Sequence, residues 1–151
     1  MEVYRISKCE FIDDLSGTGA ALYGGRWNSK GSYILYTAAT PSLALLESVV
    51  HISNIPVAAY CMITLEIPEN NILEIERDDL PSNWQNHPPP SVLKKIGDQF
   101  LRENKRLSLK LPSAIMPEDF NYLLNPSHPD FKKVKVINRR TVPIDDRLKK
   151  K

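Results

Sequence analysis

A chain of 151 residues with 20 basic and 18 acidic side chains carries a formal charge of only +2, too little asymmetry to argue for a nucleic-acid surface. Its length is enough to bury roughly 68–70% of the extended surface around one core, which predicts a single domain over residues 1–151. Cys9 and Cys61 have no Cys-x-x-Cys or Cys/His spacing, which excludes a zinc site and leaves free thiols in reducing surroundings as the expectation, Cys61 being buried in an apolar run.

The amino terminus, Met-Glu-Val-Tyr-Arg, has no basic region followed by a long apolar run, so no secretory signal is visible. No stretch approaches the length of a membrane span, and a cytoplasmic location is the expectation. The basic clusters Lys132-Lys133, Arg139-Arg140 and Lys149-Lys150-Lys151 are too small to set a partner class, although the tail could contact something acidic.

Val3 to Ile6 reads as a short strand containing Arg5, a residue type that more often lies at the surface than in a site. The polar stretch 13–19 reads as a flexible connection into a glycine-bounded loop, Gly24-Gly25-Arg26-Trp27-Asn28-Ser29-Lys30-Gly31. Tyr33 to Ala38 alternates as a strand does. Thr40 is placed to cap the next helix, Pro41 fits its first position, and Leu43, Leu46 and Val50 recur at helical spacing, with Glu47 on the same stripe.

Ser53-Asn54-Ile55-Pro56 should stop that helix. Val57 to Ile67 is the longest low-charge apolar run and reads as the central strand. Asn71 to Ile75 is shorter, so 57–75 is expected to form a hairpin or two consecutive strands around Pro-Glu-Asn-Asn. Residues 78–90 form a loop, stiffened by Pro88-Pro89-Pro90 and anchored by Trp84. Ser91 is available to cap an amphipathic helix reaching Asn104, in which Gly97 permits close contact with the sheet. Leu109 and Leu111 alternate as a short strand that Pro112-Ser113 breaks. Asn121 to Leu124 reads as one helical turn, His128 as a structural hydrogen-bonding residue, and Val134 to Val142 as a last strand before a charged end.

Among these residues Glu47 asks for an explanation. An acid on an apolar stripe must be ionised with a partner, protonated at a cost, or turned toward a cavity. Arg26 and Tyr36 lie within reach. One reading pairs Arg26 with Glu47 structurally and packs Tyr36 in the core; the other makes the three a ligand pocket, and spacing alone does not choose between them. Ser113 lacks the Gly-x-Ser-x-Gly frame of a hydrolase elbow, so its hydroxyl suits a hydrogen bond to a ligand better than nucleophilic attack. The three histidines are scattered and make no metal site. Neither an internal repeat nor a glycine-rich dinucleotide fingerprint is present.

The whole pattern resembles the RES domain family, the toxin half of bacterial RES-Xre type II toxin–antitoxin pairs that consume NAD+. The resemblance rests on Val-Tyr-Arg-Ile at 3–6, Gly-Gly-Arg-Trp-Asn at 24–28, Ile-Leu-Tyr-Thr-Ala at 34–38, Ala-Leu-Leu-Glu at 44–47, Leu-Pro-Ser-Asn-Trp at 80–84, Ile-Gly-Asp at 96–98, Leu-Pro-Ser-Ala at 111–114 and Leu-Leu-Asn-Pro-Ser-His-Pro-Asp-Phe at 123–131. The eponymous Arg, Glu and Ser match Arg26, Glu47 and Ser113.

The resemblance implies an α+β fold, a compact mixed sheet with packed helices like that of ADP-ribosyltransferases. It also implies cleavage of the nicotinamide–ribose bond of NAD+ with water or inorganic phosphate as acceptor. NAD+ is then a substrate, and no cofactor or metal is called for. Glu47 would stabilise positive charge at the ribose, Arg26 would clamp the pyrophosphate, Tyr36 would stack on nicotinamide, Ser113 would bond the phosphate or amide edge, and Arg5 would join the NAD+-binding set. A helical Xre-like antitoxin covering the site is implied, with room for a homodimer inside the complex and no membrane or direct nucleic-acid contact. Two alternatives stand beside this: transfer of ADP-ribose to a protein, and a non-catalytic binding module.

Overall fold

A computed structural model describes residues 1–52 and 59–148. Seven strands, β1 (Glu2–Lys8), β2 (Leu35–Ala38), β3 (Tyr60–Glu66), β4 (Ile72–Glu74), β5 (Ser108–Pro112), β6 (Phe120–Leu124) and β7 (Lys135–Val142), join in one sheet of order β4-β5-β6-β2-β1-β3-β7. Its neighbours run antiparallel except β4 and β5. With helices α1 (Thr18–Tyr23), α2 (Pro41–Val49) and α3 (Val92–Glu103) against it, the architecture is α+β.

Period-two alternation along the strands divides the core. Val3, Leu35, Cys61, Ile63, Leu65, Tyr122 and Leu124 point to one face, where Ile12 closes over them. On the other face Leu109, Leu111 and Leu123 pack with Trp27, Trp84, Leu93 and Phe100. That same face continues to Ala38, where Leu43 and Ala44 of α2 are buried beside Tyr4 and Ile6. Helices α2 and α3 therefore stand on one side of the sheet, over β1–β2 and β5–β6 respectively.

Helix α2 forms as its sequence specifies. Pro41 occupies the first turn, and the extended Thr40 accepts from the Leu43 N–H at 3.1 Å. The Thr40 hydroxyl also donates to Asp119 Oδ2 at 3.1 Å, which ties the start of α2 to the connection between β5 and β6.

Several expectations are corrected. The apolar strand β3 is not central: it lies between β1 and β7, and β2 holds the middle of the sheet. Its run of five buried residues arises because both faces are covered. β4 makes no hairpin with it. Asn71 accepts from Leu107 N and Ser108 N through its carbonyl and side chain, which draws β4 to β5 at the opposite edge.

Residues 121–124, expected as a helical turn, lie in β6, which is paired on both sides with β2 and β5. Part of the 13–19 connection instead enters α1, preceded by Gly17 at φ 76°, where an added Cβ would lie 2.6 Å from the Ile34 nitrogen. Ser91 is itself helical and makes no side-chain cap; the Pro90 carbonyl receives Leu93 N instead. The stop signal at 53–56 and the first residues of the 57–67 run lie outside the described residues. The cysteines are not free thiols: Cys9 and Cys61 form a disulfide. The sequence distance hid this pairing, but β1–β3 register sets Ser7 against Cys61 and Cys9 N on Ala59 O, so the two side chains meet on neighbouring strands.

Candidate active site

Two strands bring side chains to Glu47 of α2 from the same face of the sheet. Ser113 follows the last residue of β5, and its hydroxyl donates to Glu47 Oε1 at 2.8 Å. Asn121, on β6 between Ala38 and Leu111, donates from Nδ2 to the same oxygen at 2.6 Å. Ser113 is fully buried, and its oxygen in turn accepts from Ile115 N at 3.1 Å and Met116 N at 3.2 Å. The backbone holds this turn closed through Ser113 N on Asp119 O. Glu47 itself is half-buried. Among the described residues its protein hydrogen bonds fall on Oε1, leaving Oε2 without a protein partner.

Arg26 does not form a contact ion pair with Glu47. Its Nη1 donates to the carbonyls of Trp84 at 2.8 Å and Asn86 at 3.0 Å, so the buried Trp84 anchors the 78–90 loop and that loop fixes the arginine. Burial lowers the Arg26 pKa, opposed first by the charge of Glu47 and then by Tyr36. The two site charges thus act on each other through space. The remaining guanidinium N–H groups, on Nε and Nη2, make no protein hydrogen bond among the described residues, which suits an anionic ligand.

Tyr36, on β2, holds the 24–31 loop in place. Its hydroxyl donates to Asn28 Oδ1 at 2.7 Å and accepts from Trp27 N at 3.2 Å. Burial pushes its pKa up, so the phenol keeps its proton. The fully buried Asn28 also donates to carbonyls of Ala20, Ser29 and Ser32, making it the hub of the loop.

From the other side, α3 clamps the loop. The Ser29 N–H and hydroxyl donate to the two carboxylate oxygens of Asp98 at 3.0 and 2.6 Å. Burial alone would raise the Asp98 pKa, but these bonds outweigh it and hold the group below its ordinary value. Gly97 makes the approach feasible, since a Cβ there would fall 1.6 Å from the Trp27 carbonyl oxygen.

Arg26, Tyr36 and Glu47 are close enough to act on one another's charge and Ser113 is bonded to Glu47, so the four lie together on the α2–α3 side. Arg5 is not gathered with them. On β1 it shares the face of Val3, opposite the α2 face that Tyr4 and Ile6 occupy. Its Nη1 donates to the Ile12 carbonyl at 3.2 Å, and its charged neighbour is Asp14. Asn121 and Asn28 are the residues that sequence reasoning passed over. Asn28 stands inside the loop motif, whereas Asn121 carries no signal in a stretch whose sequence suits a helical turn. Among the described residues no group of three or more His, Cys, Asp or Glu could hold a metal ion.

A sheet with helices on one face, and with a carboxylate, an arginine and a buried serine on that side, defines an α+β protein with a polar cluster over its sheet. The family model for the RES domain matches residues 2–145. The chain is 37% identical over 153 residues to a protein called Toxin Res from Photorhabdus laumondii, covering 99% of this chain and 98% of that one. It is 38% identical over 144 residues to the Prs ADP-ribosylating toxin of a Sphingobium species, covering 92% and 89%. Its fold matches a chain in the crystal structure of the M. tuberculosis MbcT–MbcA toxin–antitoxin complex with a TM-score of 0.75 at 16% identity, over 93% of this chain and 83% of that one. This chain belongs to the RES domain family.

Proposed function

We propose that this protein is a toxin that degrades NAD+ by cleaving the bond between nicotinamide and ribose, with NAD+ as substrate and no further cofactor. The observation that carries the reading is the Glu47 carboxylate, with Oε1 held by Ser113 and Asn121, Oε2 left to a ligand, and Arg26 nearby. When the C1′–N bond opens, its electron pair goes to the pyridinium nitrogen and nicotinamide leaves neutral, so no strong general acid is needed. Positive charge grows on the ribose, and a fixed carboxylate stabilises it without reorganising. Water or phosphate then supplies an oxygen that forms the new bond at C1′; a water nucleophile releases its proton to solvent. Arg26 offers its remaining donors to the pyrophosphate.

Transfer of ADP-ribose to a protein is a second reading, favoured by the similarity to a toxin described as ADP-ribosylating. The two share the first step and differ in the acceptor. An antitoxin partner is part of the proposal, supported by the likeness to a chain from a toxin–antitoxin complex; we take it to be a helical Xre-like protein, bound to a toxin that pairs with a second copy. A single domain and a cytoplasmic site of action, where NAD+ is at hand, complete the reading. No described helix is long and apolar enough to cross a membrane, while the Cys9–Cys61 bond pulls the other way, since cytosolic thiols are held reduced.

The test is single-turnover release of nicotinamide by the parent and by Glu47→Gln, with NAD+ binding and thermal melting measured on the same preparations. The variant should bind NAD+ yet release nicotinamide about a hundred- to a thousandfold more slowly. Release at the parental rate would overturn the assignment of Glu47.

A further inference from the structure

We infer that Asn121 is a positioning residue for Glu47, and that Ser113 serves the same end instead of touching substrate. The inference rests on the proposed role of Glu47 and deepens it.

A serine hydroxyl has one proton and two lone pairs. Ser113 has committed all three: the Ile115 and Met116 N–H groups occupy its lone pairs, and its proton points to Glu47 Oε1. Being fully buried, it has no valence or surface left for a phosphate or an amide. The backbone turn after β5 therefore orients the hydroxyl, and the hydroxyl orients the carboxylate. Asn121 completes the arrangement from β6, where pairing on both sides with β2 and β5 fixes its backbone.

Two donors on one carboxylate oxygen do two things. They stop rotation of a flexible side chain near the end of α2, and they direct Oε2 away from the sheet. A glutamate free to swing would be drawn toward Arg26, the nearby opposite charge, and would form the ion pair that the structure does not contain. Asn121 thus holds the two charges apart so that each keeps donor or acceptor capacity for a ligand between them.

The experiment compares Asn121→Ala in the otherwise native full chain and in the Glu47→Gln background, measuring kcat and KM for nicotinamide release alongside melting temperature. In the native background kcat should fall about tenfold to a hundredfold, as expected for loss of a charge-assisted hydrogen bond, with KM for NAD+ changing less than about threefold. In the Glu47→Gln background the same substitution should change the rate less than about twofold, because its effect passes through the carboxylate. Equal losses in both backgrounds, or no loss in the first, would overturn the positioning role.

A second measurement does not depend on turnover. The Asn121 side-chain amide protons, bonded to a carboxylate, should lose a downfield NMR shift in Glu47→Gln. An unchanged resonance overturns the inference even if the parent proves unable to cleave NAD+, an outcome that would instead sink the proposed function.

Discussion

Arg26 shows how a charged side chain can be half committed. Nη1 is used on the Trp84 and Asn86 carbonyls, while Nε and Nη2 make no protein hydrogen bond among the described residues. Arg26→Ala should therefore lower kcat/KM for NAD+ by roughly ten- to over a hundredfold through lost charge-assisted contacts, and should loosen the 78–90 loop as well. Arg26→Lys should recover only part of the activity, since an ammonium keeps the charge but cannot hold two carbonyls and a phosphate in one plane. Steady-state kinetics with limited proteolysis of the loop would check both; a folded Arg26→Ala that cleaves NAD+ as the parent does would rule the clamp out. Tyr36 carries a different expectation once its hydroxyl is seen to bind Asn28 and Trp27. Tyr36→Phe keeps the ring but strands a buried acceptor and an N–H, so stability should fall by about 1–3 kcal/mol while more activity survives than in Tyr36→Ala. Melting curves and nicotinamide release on both variants decide it, and equal, severe loss of activity in folded protein would point to the hydroxyl itself. At this scale the sequence was informative where a residue broke its own pattern, as Glu47 did on an apolar stripe. Asn121 broke none, because an asparagine is unremarkable in a turn and acquires meaning only from the strands on either side.

Elements whose signal is local were legible: Thr40 and Pro41 start α2, and the apolar spacing of 92–101 makes α3. Elements defined by their partners were not. β6 is five residues long, and the Leu-Leu of its second half fits a helix as well as a strand; pairing with two neighbours settles it. The contact of α3 with the 24–31 loop falls between these cases, since Gly97 announced closeness without naming what comes close. The Trp27 carbonyl is the answer, and it leaves no room for a methyl group. Gly97→Ala should force α3 and the loop apart, costing about 1–3 kcal/mol or more. It should also weaken the Asp98–Ser29 bonds, and it should impair NAD+ cleavage by displacing Arg26 although no site residue has changed. A calorimetric melt with a matched activity assay would test this; parental stability in Gly97→Ala would mean that the loop is free to move away from α3.

At the scale of the whole molecule, the sheet order explains why recognising β3 and β4 as strands does not place them. β3 and β4 follow one another in sequence yet lie toward opposite edges, because Asn71 binds β4 to the start of β5 while β7 returns to cover β3. β7 is unusual in what it supplies. Only Val142 among its residues is buried, so it adds little apolar area to the core. What it adds is backbone pairing along the outer edge of β3, from Tyr60 to Glu66, with exposed Lys135, Arg139 and Arg140 on the new edge. Charged residues on an edge strand discourage pairing with another chain, and the apolar β3 beneath has no such protection. A chain ending at Val134 should therefore keep every candidate site residue and most of the buried core, yet expose β3 as an edge. It should melt at a lower temperature and associate in a concentration-dependent way, losing activity in proportion to the associated fraction. By contrast, a chain ending at Pro143 keeps β7 and should remain as dispersed as the parent. Light scattering and NAD+ cleavage across a concentration series of both truncations separate an edge-protecting β7 from a dispensable one, and a Val134-ended chain that stays dispersed with parental stability and activity would show that β3 needs no cover.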